Sequence, residues 1–237
     1  MHALIVAAGF GSRLRAVSPS KPLTPVVGTP LIARVIAAAR AGGASGFTVV
    51  TGHAADALEA YLGALDPAIA CVRTHDWSLA NGHSVLTGAA AIGPDAHLLM
   101  MADHLFDPAI VADVIAAPPA PLTLAIDRRL DNPLVDLDDV TRVQTQDGRI
   151  VAIGKHLPDH DAFDCGVFAV DGRFHEALRQ SIAQGGPGSI SAGVEALAVS
   201  GGTRAVDIGD AWWLDVDDGR ALAQAEAALG GRSAAAA

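Results

Sequence analysis

Apolar residues in this chain arrive in short continuous runs that alternate with stretches of helical spacing. Residues 3–8 form the first run, a buried strand that Gly9 and Gly11 break. Leu31, Val35, Ile36 and Ala39 then recur along one helix face, with Thr29-Pro30 as a capping hydroxyl and first-turn proline and Gly42-Gly43 as the stop. A second strand over 47–51 turns at Gly52-His53, a short helix covers 56–62, and a third strand covers 69–72. The polar loop 77–84 leads into a small-residue helix over 85–92. A strongly apolar fourth strand over 96–101 follows, with Asp103 close behind it, and a fifth strand covers 122–126. Strands separated by helices predict an α/β fold with a doubly wound, mostly parallel sheet.

The later pattern departs from that alternation. Two alternating runs over 143–153 meet at Gln146-Asp147-Gly148, a hairpin signature, and Lys155 follows directly. A β-hairpin late in a parallel α/β chain predicts an insertion over the ligand crevice at the strands' carboxyl ends, where it walls the second substrate, the acceptor. Residues 164–168 read as another strand, and 172–184 and 189–199 as helices. Trp212-Trp-Leu-Asp-Val-Asp-Asp reads as a strand that delivers carboxylates into an alanine-rich last helix. The chain is expected to form one domain over 1–237, with a flexible tail from residue 230.

Composition narrows the partners. With 51% hydrophobic and 18% charged residues, 237 residues are enough to bury a full core. Sixteen basic against 26 acidic residues give a net charge of −10, which argues against nucleic acid and anionic membrane surfaces. A phosphorylated substrate must therefore meet a locally positive site. No apolar segment reaches the roughly 18 residues that span a bilayer, so a cytoplasmic protein without membrane insertion is expected. Cys71 and Cys165 match no metal or redox spacing and read as reduced structural thiols.

The chemistry begins at the first glycine loop. Glycines just past a strand let backbone amides approach an anion, and Arg13 and Lys21 add fixed positive charge in polar sequence away from the core. Leu14 stands where a dinucleotide fingerprint needs a third small residue, and His156 after Gly154-Lys155 rules out a Walker loop. Asp103 and Asp215 each follow or end a strand and can meet at the sheet's carboxyl edge, where paired carboxylates suit Mg²⁺. Neither has a basic neighbour in sequence except His104, which reads as a hydrogen-bonded structural histidine. Asp217 competes with Asp215 but reads better as the cap of the last helix. No His/Cys cluster suggests zinc. This inventory fits nucleotidyl transfer, which needs alignment and charge neutralisation but no protein nucleophile.

Ala7-Ala-Gly-Phe-Gly-Ser-Arg-Leu with Ser20-Lys-Pro-Leu resembles the signature of the sugar-nucleotide pyrophosphorylase-type nucleotidyltransferases, whose fold is Rossmann-like. Further segments are Ala80-Asn-Gly-His-Ser, Met101-Ala-Asp-His-Leu-Phe-Asp, Ile126-Asp-Arg-Arg, Asp139-Val-Thr-Arg-Val, Gly148-Arg-Ile-Val-Ala-Ile-Gly-Lys, Asp164-Cys-Gly-Val-Phe and Trp213-Leu-Asp-Val-Asp. With them the chain, to about Leu229, resembles the cytidylyltransferases that make CDP-inositol from CTP and inositol 1-phosphate. The resemblance implies that Arg13 and Lys21 hold the triphosphate as catalytic cations, within a nucleotide site of Ala7, Ala8, Gly9, Gly11, Ser12, Thr51 and Gly52. It implies Asn81, Gly82 and Ser84 near the base, Asp103 and Asp215 on Mg²⁺, and Asp127, Lys155 and Asp164 on the acceptor. Two positions depart from the family pattern: Arg142 stands where Lys is expected and Cys165 where Thr is usual.

CTP and a small phosphorylated alcohol are the implied partners. In many relatives a membrane-embedded alcohol-phosphate transferase domain follows, so here such a partner is expected to be a separate protein. An oligomer is compatible with the sequence. Phosphocholine, a phosphonate or a sugar 1-phosphate is the alternative acceptor, and a non-catalytic nucleotide sensor is the alternative of another class. A degenerate sensor is expected to have lost Arg13, Lys21 or an aspartate, and all are present.

Overall fold

β1 (His2–Val6) is the apolar run that opens the sequence, and the computed structural model, which describes residues 1–235, places it inside the sheet. After it come two single 3-10 turns (Ser12–Leu14 and Lys21–Leu23), a short ribbon of β2 (Pro25–Val26) and β3 (Thr29–Pro30), and α1 (Leu31–Ala41). Thr29 is therefore not a helix cap: it pairs with Val26 in the ribbon, and α1 starts behind Pro30 without a side-chain cap. Arg34 Nε, 2.9 Å from the Val26 carbonyl, fixes the ribbon to the helix.

β4 (Gly46–Thr51), α2 (Ala55–Leu65), β5 (Ala70–Arg73), α3 (Asn81–Ile92), β6 (His97–Met101), β7 (His104–Phe106), α4 (Pro108–Ala116) and β8 (Leu122–Asp127) continue the alternation. The chain then forms β9 (Arg142–Gln146), β10 (Arg149–Gly154), β11 (Ala162–Val170), α5 (Gly172–Ala183), α6 (Ile190–Ala198), β12 (Thr203–Asp207), β13 (Trp213–Asp215) and α7 (Gly219–Ala235). Strands β5-β4-β1-β6 are parallel, as the alternation predicts. β11 joins β6 antiparallel and carries the β9–β10 hairpin, while β8 lies on β11 and pairs in parallel with β12. Asp147 (φ 51°) and Gly148 (φ 73°) are both left-handed, which gives the hairpin its two-residue turn.

Period-two alternation along β1 divides the core. Ala3 and Ile5 face the layer that includes residues of α1, α2, α4 and α7, and Leu4 faces that of α3, α5 and α6. All three residues are fully buried, and each such Leu or Ile side chain contributes roughly 1.5–3 kcal/mol. Helix starts differ from the sequence expectation in two further places. α3 begins at Asn81, so the Asn-Gly turn signal is its first turn. Asp218, not Asp217, caps α7, its Oδ1 accepting from the Ala221 amide at 2.8 Å. α7 continues through Ala235, so the expected tail is helical there, and residues 236 and 237 lie outside the described residues. Among the described residues no helix is long and apolar enough to cross a membrane.

Two histidines face each other at the end of the sheet away from the glycine loop. His97 and His175 are each 2% exposed, their rings stack at 5.0 Å, and each Nε2 is buried without a partner. Burial, then His97 and Arg179, lower His175 from 6.5 to about 4 against the pull of Asp171; burial also lowers His97. A folded-state value below the unfolded one means that acid protonates the unfolded chain first. The contribution of neutral His175 to stability is therefore complete above about pH 6.5 and falls as pH drops towards 4, by roughly 2 kcal/mol. His175→Leu is expected to flatten this acid limb in urea midpoints measured between pH 7 and 4. An unchanged slope would exclude His175 as its source.

Candidate active site

Beyond β1, Ala7 and Ala8 stay buried, and the Ala7 amide bonds to the Val50 carbonyl at 2.9 Å. The chain then turns outward. A Cβ on Gly9 would meet nothing within 4 Å, so that side of the loop is open. Gly11 is left-handed (φ 59°), and a Cβ there would lie 2.4 Å from Lys21 Cβ. Glycine is thus what lets the second cation pack against the loop. The amides of residues 9–13 belong to this outward-turning loop, a backbone arrangement that can receive an anion. Phe10 at its tip stacks on Trp77 at 5.7 Å, with His53 edge-on to both.

The floor is acidic. β7 and β13 pair antiparallel with Asp215 opposite His104, and the Val216 amide bonds to the Asp103 carbonyl at 3.0 Å. This small ribbon brings together carboxylates more than a hundred residues apart. Asp103, His104 and Asp215 place ligand atoms within 4.8 Å of one another. Lys21, 10% exposed along its side chain, reaches Asp103 at 2.6 Å and also donates to Asp217. Burial alone would raise the Asp103 carboxyl, but Lys21 and His104 hold it far below the usual range. His104 resists its own burial and is raised to about 9 by Asp215 and Asp103. Burial, with the like charges of Asp103 and Asp217, pushes Asp215 up to about 7 despite His104. Asp215 Oδ1 is buried without a hydrogen-bond partner. An orphaned carboxylate oxygen beside a second carboxylate is a donor set that fits a hard cation such as Mg²⁺. The sequence-based expectation that only His104 neutralises this pair is corrected by Lys21, which is distant in sequence.

A second pocket opens beside the glycine cleft, and Arg13 and Asp217 line both. Lys155 at the end of the hairpin lines it, with Asp139 and Thr141 from the preceding segment. Asp164 also lines it; burial raises its carboxyl to about 6, and its Oδ1 accepts from the Gly166 amide at 2.7 Å. Asp139, Thr141 and Ser191 line this pocket but carry no motif of their own in the sequence. Only the quoted segment around Asp139 pointed there.

Several expected positions do other work. Asp127 is fully buried, its carboxylate taken up by Arg129, Asn132 and the Trp213 indole at 2.8–3.0 Å, so it is not a wall of the pocket. It orients Trp213, which stacks on His104. Thr51 is fully buried and gives its hydroxyl to Glu59 at 2.6 Å. Gly52 is a packing glycine, since a Cβ would lie 2.8 Å from the Ala8 carbonyl oxygen and Trp77 Cβ. Asn81 lines the second pocket and accepts from the Ile190 amide at 2.9 Å, while Gly82 presses on the Gly188 carbonyl. Ser84 is buried within α3.

An open glycine loop backed by Lys21, Arg13 and an acidic, cation-compatible floor on a Rossmann-like sheet defines a nucleotide-handling α/β protein. Residues 3–236 match the MobA-like NTP transferase domain, and the chain belongs to that family. It is 34% identical over 219 residues to the "Bifunctional IPC transferase and DIPP synthase" of Rubrobacter xylanophilus, covering 91% of this chain and 49% of that protein. The protein of the same name from Archaeoglobus fulgidus is 30% identical over 176 residues, 74% of this chain and 34% of its own length. The chain thus spans half or less of the length of these curated relatives. Among solved structures, the inositol-1-phosphate CTP transferase from T. maritima superposes with a TM-score of 0.82 at 24% identity, over 93% of this chain and 90% of that one. A UDP-glucose pyrophosphorylase complexed with UDP-glucose superposes with a TM-score of 0.79 at 19% identity, over 98% of both.

Proposed function

We propose that this chain transfers the CMP moiety of CTP to the phosphate of a small polyol, inositol 1-phosphate first, releasing pyrophosphate and giving CDP-inositol. The observation that carries the reading is the junction of two pockets at Arg13 and Asp217, one built on the glycine loop and one ending at Lys155. Such a junction suits a reaction between two phosphates. The name of the T. maritima protein, inositol-1-phosphate CTP transferase, favours CTP and inositol phosphate.

In this reading the loop amides, Arg13 and Lys21 hold the triphosphate, and Lys155 holds the acceptor phosphate. An acceptor oxygen forms a bond to the α-phosphorus while the bond from that phosphorus to the bridging oxygen breaks, and pyrophosphate leaves with both electrons. A phosphate monoester is already ionised at neutral pH, so no general base is needed. Asp103 and Asp215 would hold Mg²⁺, which when bound neutralises charge developing on the phosphates. Asp164 and Ser191 offer hydrogen-bonding groups to acceptor hydroxyls.

Pyrophosphate release across four nucleoside triphosphates and a panel of phosphorylated alcohols tests this. CTP with inositol 1-phosphate is expected to give the highest kcat/KM. Another triphosphate preferred by about tenfold, a difference of about 1.4 kcal/mol in transition-state binding, would refute the cytidylyl assignment. A sugar 1-phosphate, phosphocholine or phosphonate preferred by the same margin would replace the acceptor alone.

A further inference from the structure

Arg13 and Lys155 lie 142 positions apart in sequence, yet one carboxylate holds both. Asp139 Oδ2 accepts from Arg13 at 2.6 Å, and its Oδ1 accepts from Lys155. Asp139 is 22% exposed along its side chain, while both cations are half exposed. Among the described residues Asp139 is the one acidic partner of Lys155; Arg13 has a second, Asp217, at 3.5 Å. Burial alone would raise the Asp139 carboxyl, but its hydrogen bonds with Lys155, Asp217 and Arg13 keep it well below the usual range.

We propose that Asp139 is a positioning residue that couples the two substrate subsites, holding Arg13 and Lys155 side by side until phosphates replace it. The proposal rests on the assignment of Arg13 to the nucleotide and Lys155 to the acceptor. Two like charges on separate elements repel, and a shared carboxylate offsets that repulsion. It also sets both headgroups at the junction, where the attacking phosphate and the α-phosphate must meet. A lysine ammonium is a point charge on a flexible stem and loses direction without such an anchor. The same carboxylate repels both incoming phosphates. Its charge therefore weakens ground-state binding while its geometry aligns the reactants, a use of binding energy for rate instead of affinity.

Asp139→Asn removes the charge and keeps the shape. Initial rates over a grid of CTP and inositol 1-phosphate, with calorimetric binding of inorganic pyrophosphate, give the readout. Both KM values and the pyrophosphate Kd are expected to fall by roughly three- to tenfold, while kcat falls by at least ~10-fold and the melting temperature holds. Raised KM values with a lower melting temperature and unchanged kcat would reduce Asp139 to a structural residue and overturn the proposal. Wild-type kinetics would overturn it as well. Arg13→Gln and Lys155→Gln separate the two levels. If they raise KM while Asp139→Asn behaves as wild type, the coupling role falls and the subsites stand. If they leave KM unchanged, the subsite assignment fails and takes the coupling role with it.

Discussion

Replacing Lys21 by methionine is expected to lower kcat/KM by at least ~10²-fold and to destabilise the protein as well. The catalytic part follows from the loss of one charged contact to the developing phosphate charge, about 3 kcal/mol in a partly dry site. The stability part comes from its surroundings. Lys21 reads from sequence as a cation in a polar loop with little core at stake, but in the structure it is a buried counter-ion between Asp103 and Asp217. Breaking an ion pair on one side leaves the other charges uncompensated; as both aspartates keep some solvent contact, roughly 2 kcal/mol is expected. For a chain of this length that amounts to roughly 4–8 °C in melting temperature. The pH dependence has a definite sign. The Asp103 carboxyl is depressed in the folded state, so its contribution is present above 3.8, its unfolded value, and is lost as pH falls below it. Lys21 itself is raised, and its contribution persists up to 10.5 and is lost above. The deficit of Lys21→Met should therefore be full at pH 7 and shrink in acid. Melting curves at pH 7 and pH 3.5, beside turnover at pH 7, check both parts. A fully active variant would remove Lys21 from the phosphate site.

What could be read from the sequence was what is local. The apolar runs of β1, β4 and β6 and the Asp-Gly turn of the β9–β10 hairpin carry their signals within a few residues. The glycine loop was legible for the same reason. β7 and β12 were not, because a three-residue strand and a half-buried strand hold too little periodicity to stand out. Helix boundaries slipped by one residue at Asp217 and by four at Asn81, where capping chemistry fits several neighbouring positions. The convergence of Lys21 on Asp217, or of Arg13 and Lys155 on Asp139, spans more than a hundred positions in two of three cases. No motif links such residues; the parallel sheet and the β7/β13 ribbon do. Asp127 shows the converse error, since an acid in a recognisable segment became an internal strut for Trp213.

Asp103 and Asp215 should separate by the sign of their stability change although turnover fails in both. Asp103→Asn is expected to abolish Mg²⁺-dependent turnover and to lower the melting temperature, because Asp103 is the partner of both Lys21 and His104. Its loss is again worth roughly 2 kcal/mol with solvent screening allowed for. Asp215→Asn should be equally inactive but more stable than the parent at pH 8. Burial raises the Asp215 carboxyl from 3.8 to about 7, so the folded protein keeps a proton that the unfolded chain has released. That contribution is present at low pH and lost as pH rises through this window; above it, the folded protein bears an unfavourable buried charge. An amide of the same shape removes that charge, a gain of roughly 1–2 kcal/mol once the partial exposure of the side chain is discounted. Asp217→Asn loses Lys21 and the 3.5 Å contact with Arg13, so it should be both less stable and slower, not merely a weakened helix cap. Three measurements on each variant decide the matter: Mn²⁺ binding as a spectroscopic stand-in for Mg²⁺, turnover, and melting temperature at pH 8. Loss of metal binding in Asp103→Asn and Asp215→Asn but not in Asp217→Asn is the expected result. An active, metal-binding Asp215→Asn beside a dead, metal-free Asp217→Asn would transfer the ligand role to Asp217 and leave Asp215 as a carboxylate that only sets the charge of His104.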